Sequence, residues 1–141
     1  MEFVADLEEE LGIGEVARRT GLSVHALRFY EREGVLISPQ VARGTGGHRR
    51  YSSQEVYWLR ICIKLRASGM PLVKIRRFAE LVREGPGNEE QRLELLREQR
   101  RNVEHQLAEL EECLHIIDRK VGVYEQHLAE GTAEDLWTAK A

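Results

Sequence analysis

The chain has 141 residues, 42% hydrophobic and 32% charged, which suits one domain with its own core plus an appendage and excludes a disordered or fibrous chain. No run of about 18 apolar residues occurs, and the opening MEFVADLEEE is acidic where a signal peptide would be basic, so no membrane span is expected and a cytoplasmic location is. Two cysteines with fifty residues between them give neither a CxxC pair nor a disulfide framework.

The net charge of -3 conceals a polarity. Residues 1–10 carry five acids and no base, residues 11–84 carry 14 Lys and Arg against six acids, and residues 85–141 carry seven against 13. The middle of the chain is therefore the part suited to a polyanion.

Residues 1–11 read as an acidic leader, although Phe3, Val4 and Leu7 could pack as a helical turn. A short helix is expected over about 14–19, closed near Gly21 by the left-handed conformation that glycine adopts freely. Ser23 is a suitable N-cap for a second helix over about 24–33, with Gly34 as its stop. Two short helices joined by three or four residues that include glycine are the pattern of a helix-turn-helix. Residues 35–38, VLIS, read as a short strand, and ARGTGGHRRY over 42–51 reads as a glycine-rich tip followed by a basic aromatic stretch. Together they predict a hairpin, the wing of a winged helix.

Ser52 and Glu55 form a capping box for a third helix running to about Ser68, with Val56, Trp58, Leu59, Ile61, Cys62, Ile63 and Leu65 available to a core. Pro71 suits the first position of a fourth helix, whose buried face is expected at Leu72, Ile75, Ala79 and Val82. The GPG at 85–87 is the clearest boundary, separating a DNA-binding domain over 12–85 from a helix over 88–130 and a tail over 131–141.

The last helix carries Leu93, Leu96, Arg100, Val103, Leu107, Leu110, Leu114, Ile117, Val121, Tyr124 and Leu128 in strict 3-4 alternation, a seam broken in character only by Arg100. At 1.5 Å per residue the stretch 93–128 would be roughly 53 Å long, with no other segment large enough to cover its apolar stripe. A homodimer is the expected solution.

The basic residues fit DNA. Arg18 and Arg19 end the first helix, Arg28 and Arg32 lie one turn apart on the second, and Arg43, His48, Arg49 and Arg50 cluster on the wing. Such a set neutralises phosphates, while Ser23, Val24 and His25, at the start of the second helix, are the candidates to reach base edges. Bland readings stand beside these. Arg18 and Arg19 could be a solvated face at a helix C-terminus, Arg28 could pair with Glu31 or Glu33, and Tyr30 could be pure core.

Residues 13–51, with GEVA, LRFYE, the GVL soon after and GGHRRY, resemble the N-terminal domain of the MerR family of bacterial transcription regulators. The resemblance continues through LRASGMPLVKIRRF and covers roughly residues 12–128. It implies a mainly α fold in which a winged helix-turn-helix and two helices precede a long dimerisation helix paired as an antiparallel coiled coil. It also implies that Ser23 and His25 lie at the major groove, that Arg28 and Tyr30 contact DNA, and that Arg43 and Arg49 belong to the wing's grip on the backbone. His48 stands where the family usually has tyrosine. The implied function is binding of a promoter inverted repeat as a homodimer, with distortion of the duplex so that RNA polymerase can engage it.

The trigger is less legible. The cysteines that metal-sensing relatives carry near the start of the dimer helix and after it are absent, and His105, His115 and His127 sit at flanking positions, so no metal is expected. The position of the reactive cysteine of electrophile-responsive relatives is Lys64 here, and Cys62 reads as a small core hydrophobe. Cys113, beside the seam residue Leu114, is the remaining sensing candidate, though its neighbours Glu111 and Glu112 disfavour a reactive thiolate. A small-molecule effector, if the regulator has one, would occupy a site shared by the dimer, with Leu136 and Trp137 as late apolar anchors. An effector-independent regulator and a protein-interaction module are the rival readings. Neither a phosphate-binding loop nor a nucleophile with its base is present, so no enzyme and no cofactor are expected.

Overall fold

The computed structural model describes residues 10–38, 42–43, 49–132 and 136–137, with residues 42, 43 and 49 described by their backbone alone. The elements are β1 (Glu10–Gly12), α1 (Ile13–Thr20), α2 (Val24–Arg32), β2 (Ala42–Arg43), β3 (Arg49–Ser52), α3 (Ser53–Ala67), α4 (Leu72–Glu84) and α5 (Glu89–Glu130). The mainly helical fold with a long final helix is as the pattern predicts, and the chain forms two compact units, Met1–Gln99 and Arg100–Ala141.

The turn between α1 and α2 is built from local hydrogen bonds. Gly21, at φ +77°, donates its N–H to the Ala17 carbonyl, and Thr20 Oγ1 donates to the Val16 carbonyl while accepting from Leu22 N–H. Ser23 Oγ then accepts the N–H of Ala26 at 3.0 Å, capping α2. Val16 from α1 and Leu27 from α2 are fully buried against Leu11, Leu36, Tyr51, Val56 and Leu59.

The sheet is three-stranded, in the order β1-β3-β2, with both pairings antiparallel. The last two residues of the expected leader, Glu10 and Leu11, enter a strand because Leu11 lies opposite Tyr51 and both side chains are buried. The wing hairpin is formed by β2 and β3, so both of its strands come from within 42–52. Its tip, residues 44–48, lies outside the described residues.

The strand expected at 35–38 is not one. Val35 and Leu36 are buried in different core clusters, as alternating strand residues would be, but Val35 N–H donates back to the Tyr30 carbonyl of α2, and the carbonyls of both residues accept from side chains instead of from a neighbouring strand. Trp58 Nε1 donates to the Val35 carbonyl at 2.6 Å, and one Arg83 nitrogen donates to the carbonyls of Gly34 and Leu36. The Glu55 carboxylate accepts the N–H groups of Ile37 and Ser38. The expected capping box is therefore half formed: Ser52 Oγ accepts Glu55 N–H at 3.1 Å, and the Glu55 side chain turns to this connector.

The second cluster, Val35, Trp58, Cys62, Met70, Ile75 and Ala79, joins α3 to α4, and Trp58 stacks on Phe78 with 5.3 Å between ring centroids. Helix α4 starts one residue later than expected, with Pro71 as its N-cap, and it buries Leu81 along with Ile75 and Ala79 while Val82 is half-buried. At the start of α5, Asn88 donates to the Leu81 carbonyl, Lys74 pairs with Glu98, and buried Gln99 donates to Ser68 Oγ at 2.8 Å. In the second unit, Leu107, Leu110, Leu114, Ile117, Val121, Tyr124 and Leu128 are all exposed, Leu114 by 55% and Leu128 by 69%.

Candidate nucleic-acid interface

Helix α2 presents one outward face. Leu27 points into the core, and His25, Arg28 and Arg32, three and four residues apart in turn, are exposed. Arg28 makes no hydrogen bond or ion pair among the described residues, and Glu33, one of the partners considered for it, pairs with Arg76 at 2.8 Å. Its guanidinium is thus available to an external anion. Ser23 is exposed at the N-terminus of the same helix; its oxygen accepts the capping bond, which leaves its hydroxyl proton free to donate.

Tyr30 is half-buried between the two core clusters, and its ring lies 5.8 Å from that of Phe29. The residue is thus shared between packing and the edge of α2. Arg18, on α1, is 75% exposed, and together with Arg19 it pairs with Glu15 one turn earlier. The two guanidinium groups hold the Glu15 carboxyl below its ordinary range, Arg18 having the larger effect. On the wing, Arg43 and Arg49 face each other across the β2–β3 ladder, with side chains outside the description, and His48 lies outside the described residues altogether. Arg50 sits opposite Gly12 on one side and Ala42 on the other.

Sequence reasoning missed the residues that hold the exit of α2. Arg76 donates to the Glu33 carbonyl and carboxylate, and Arg83 donates to Gly34 and Leu36. Their seven-residue spacing, which puts both on one side of α4 next to Ile75 and Ala79, was the available signal.

The cysteines differ in character. Cys62 is fully buried, and burial, with Glu55 nearby, pushes its thiol up to about 12. Cys113 is exposed. Among the described residues no three His, Cys, Asp or Glu side chains gather as a metal site would require, and no described helix is long and apolar enough to cross a membrane.

The family described as MerR HTH family regulatory protein matches residues 11–81. The chain belongs to the MerR family. A transcriptional regulator of Haemophilus influenzae, described as an uncharacterized HTH-type protein, is 37% identical over 120 residues, spanning 85% of this chain and 87% of the relative. Among solved structures, HiNmlR, a MerR family regulator lacking the sensor domain and bound to promoter DNA, superposes with a TM-score of 0.76 at 34% identity, covering 93% of this chain and 98% of that one. A MerR family regulator described as putative, from Listeria monocytogenes, gives a TM-score of 0.80 at 29% identity, covering 88% and 92%. The chain is a MerR-family transcriptional regulator.

Proposed function

We propose that this regulator binds an inverted repeat in cytoplasmic promoter DNA as a homodimer and distorts the duplex to control engagement by RNA polymerase. The observation that carries the reading is the outward face of α2, where His25, Arg28 and Arg32 stand exposed one turn apart beside Ser23. A recognition helix uses residues near its N-terminus to read base edges in the major groove, which assigns Ser23 and His25 to specificity and Arg28 to a base or phosphate. Arg18, Tyr30, Arg43, His48 and Arg49 then hold the backbone. The promoter-bound state of HiNmlR, similar over nearly the whole of both chains, supports DNA of this kind as the partner.

Dimerisation is supported by the exposed stripe on α5. Apolar residues from Leu93 to Leu128 that remain exposed on one chain would be covered by a second copy, and pairing as an antiparallel coiled coil would give two recognition helices for two half-sites. Distortion fits such a target because contacts on both half-sites can offset the cost of bending and untwisting the DNA between them.

The test is binding of the full chain to an inverted-repeat promoter duplex over a range of salt, with an unrelated duplex as control. Affinity that falls with salt and exceeds that for the control supports the reading; equal affinity for both duplexes refutes it. Arg28→Ala should lower affinity by about tenfold or more, the cost of one lost specific contact.

A further inference from the structure

The α1 face holds a feature that DNA binding by itself does not require. Glu15 lies in the first turn of α1, and Arg18 and Arg19 stand three and four residues on, so all three share one side of the helix. Arg18 grips the carboxylate with two nitrogens, Nε at 3.0 Å and one terminal nitrogen, and Arg19 Nε reaches Oε1 at 2.9 Å. Arg19 is further fixed through its carbonyl, which accepts from Arg60 Nε and Nη2 on α3.

We propose that Glu15 is an affinity-limiting residue, an internal phosphate mimic that occupies Arg18 and Arg19 and lowers their effective charge toward DNA. The inference rests on the reading that α1 faces the DNA backbone, as the first helix of a helix-turn-helix does. A carboxylate bound by two guanidinium groups occupies the position that a phosphate oxygen would take, and it leaves the trio with one net positive charge instead of two. Because the pairs are exposed, a phosphate can displace Glu15 without a large loss of fold stability. Glu15 stays ionised through the neutral range, since both arginines hold its titration low. The consequence is a weaker grip on the phosphate backbone of any duplex, the part of the affinity that carries no sequence information.

The experiment compares the full chain with Glu15→Gln, Glu15→Asp and Arg18→Ala/Arg19→Ala, and with Glu15→Gln in the doubly substituted background. Binding to the promoter duplex and to an unrelated duplex is measured from 50 to 200 mM salt. Glu15→Gln should bind both duplexes more tightly at low salt, with the gain on unrelated DNA at least as large. Its plot of log affinity against log salt should steepen by up to about 0.9, so that about threefold of its advantage is lost across that range. Glu15→Asp keeps the charge and should behave as the unsubstituted chain, which separates charge from any effect on helix start. If Glu15→Gln still tightens binding equally when both arginines are gone, direct repulsion and not their occupation is responsible, and the proposal is overturned. If Arg18→Ala/Arg19→Ala weakens binding but Glu15→Gln changes nothing, the proposal fails while the DNA-facing reading of α1 stands. If Arg18→Ala/Arg19→Ala is without effect at any salt, that reading of α1 fails and the proposal with it.

Discussion

Glu55 Oε1, on α3, accepts the N–H of Ser38 at 2.8 Å, tying the segment that follows α2 to a residue seventeen positions further along the chain. Oε2 takes Ile37 N–H at 3.2 Å, so one carboxylate satisfies two consecutive donors. Burial raises the Glu55 pKa above the ordinary carboxylate range, with the bonds from Ser38 and Ile37 and the charge of Arg83 opposing that rise. A raised folded-state value means that the protonated form is favoured by folding. The stability contributed is fully present below the unfolded value of about 4.3 and is lost as pH rises through the folded one. Relative to Glu55→Gln, the unsubstituted chain should therefore lose stability as pH rises from about 4 toward neutrality. Urea midpoints at a series of pH values check this; a gap that stays constant, or that moves in the opposite sense, would contradict it.

The Val35 carbonyl, in the same buried connector, accepts its hydrogen bond from Trp58 Nε1. Trp58→Phe keeps an aromatic ring to stack on Phe78 but removes the N–H, leaving a buried carbonyl without its partner. The expected destabilisation is about 1–3 kcal/mol, before any cost of lost volume. Chemical denaturation measures it, and a change below about 0.5 kcal/mol would mean that another donor takes the carbonyl.

These two residues show what the sequence made legible and what it did not. The helices were readable because capping residues, glycines and 3.6-residue periodicity are local signals: Ser23, Gly21 and Ser52 act as read. The apolar run that includes Val35 and Leu36 was also readable, but burial of both residues does not say where a backbone bonds. Trp58, Glu55 and Arg83 satisfy that segment from 17 to 49 residues away, and such long-range side-chain bonds leave no short-range pattern. Of the candidate DNA residues, Ser23, His25 and Arg28 could be placed on one exposed helix from spacing alone. The pairing of Glu15 with Arg18 was missed although the i,i+3 spacing was there to see.

Arg83 offers a way to separate holding the interface from touching it. Its guanidinium, half-buried, bonds to Gly34 and Leu36 and lies on α4, not on the helix-turn-helix. Arg83→Met should destabilise the fold by about 1.5–3 kcal/mol, the range for hydrogen bonds to a charged group. Under conditions where the variant remains folded, promoter affinity should fall with an unchanged salt slope, because no phosphate contact is removed. A slope reduced by about one would instead place Arg83 on the DNA backbone.

The stripe on α5 makes the strongest demand on the environment. Leu110 is 65% exposed and Leu114 55%, and they lie four residues apart on one face with Leu107 and Ile117 before and after them. If a second copy covers this face, each leucine buried is worth about 1.5–3 kcal/mol, and placing a carboxylate there would cost more than the lost apolar contact because the charge must be desolvated. Leu110→Glu/Leu114→Glu should consequently shift the chain to monomer at micromolar concentration in sedimentation, while the intrachain packing of α1 to α4 is left intact. The monomer should also lose affinity for an inverted repeat far more than for a single half-site, since linking two half-site contacts multiplies their effect. An unsubstituted chain that sediments as a monomer would remove the premise. A dimer that survives both glutamates would move the interface away from this seam.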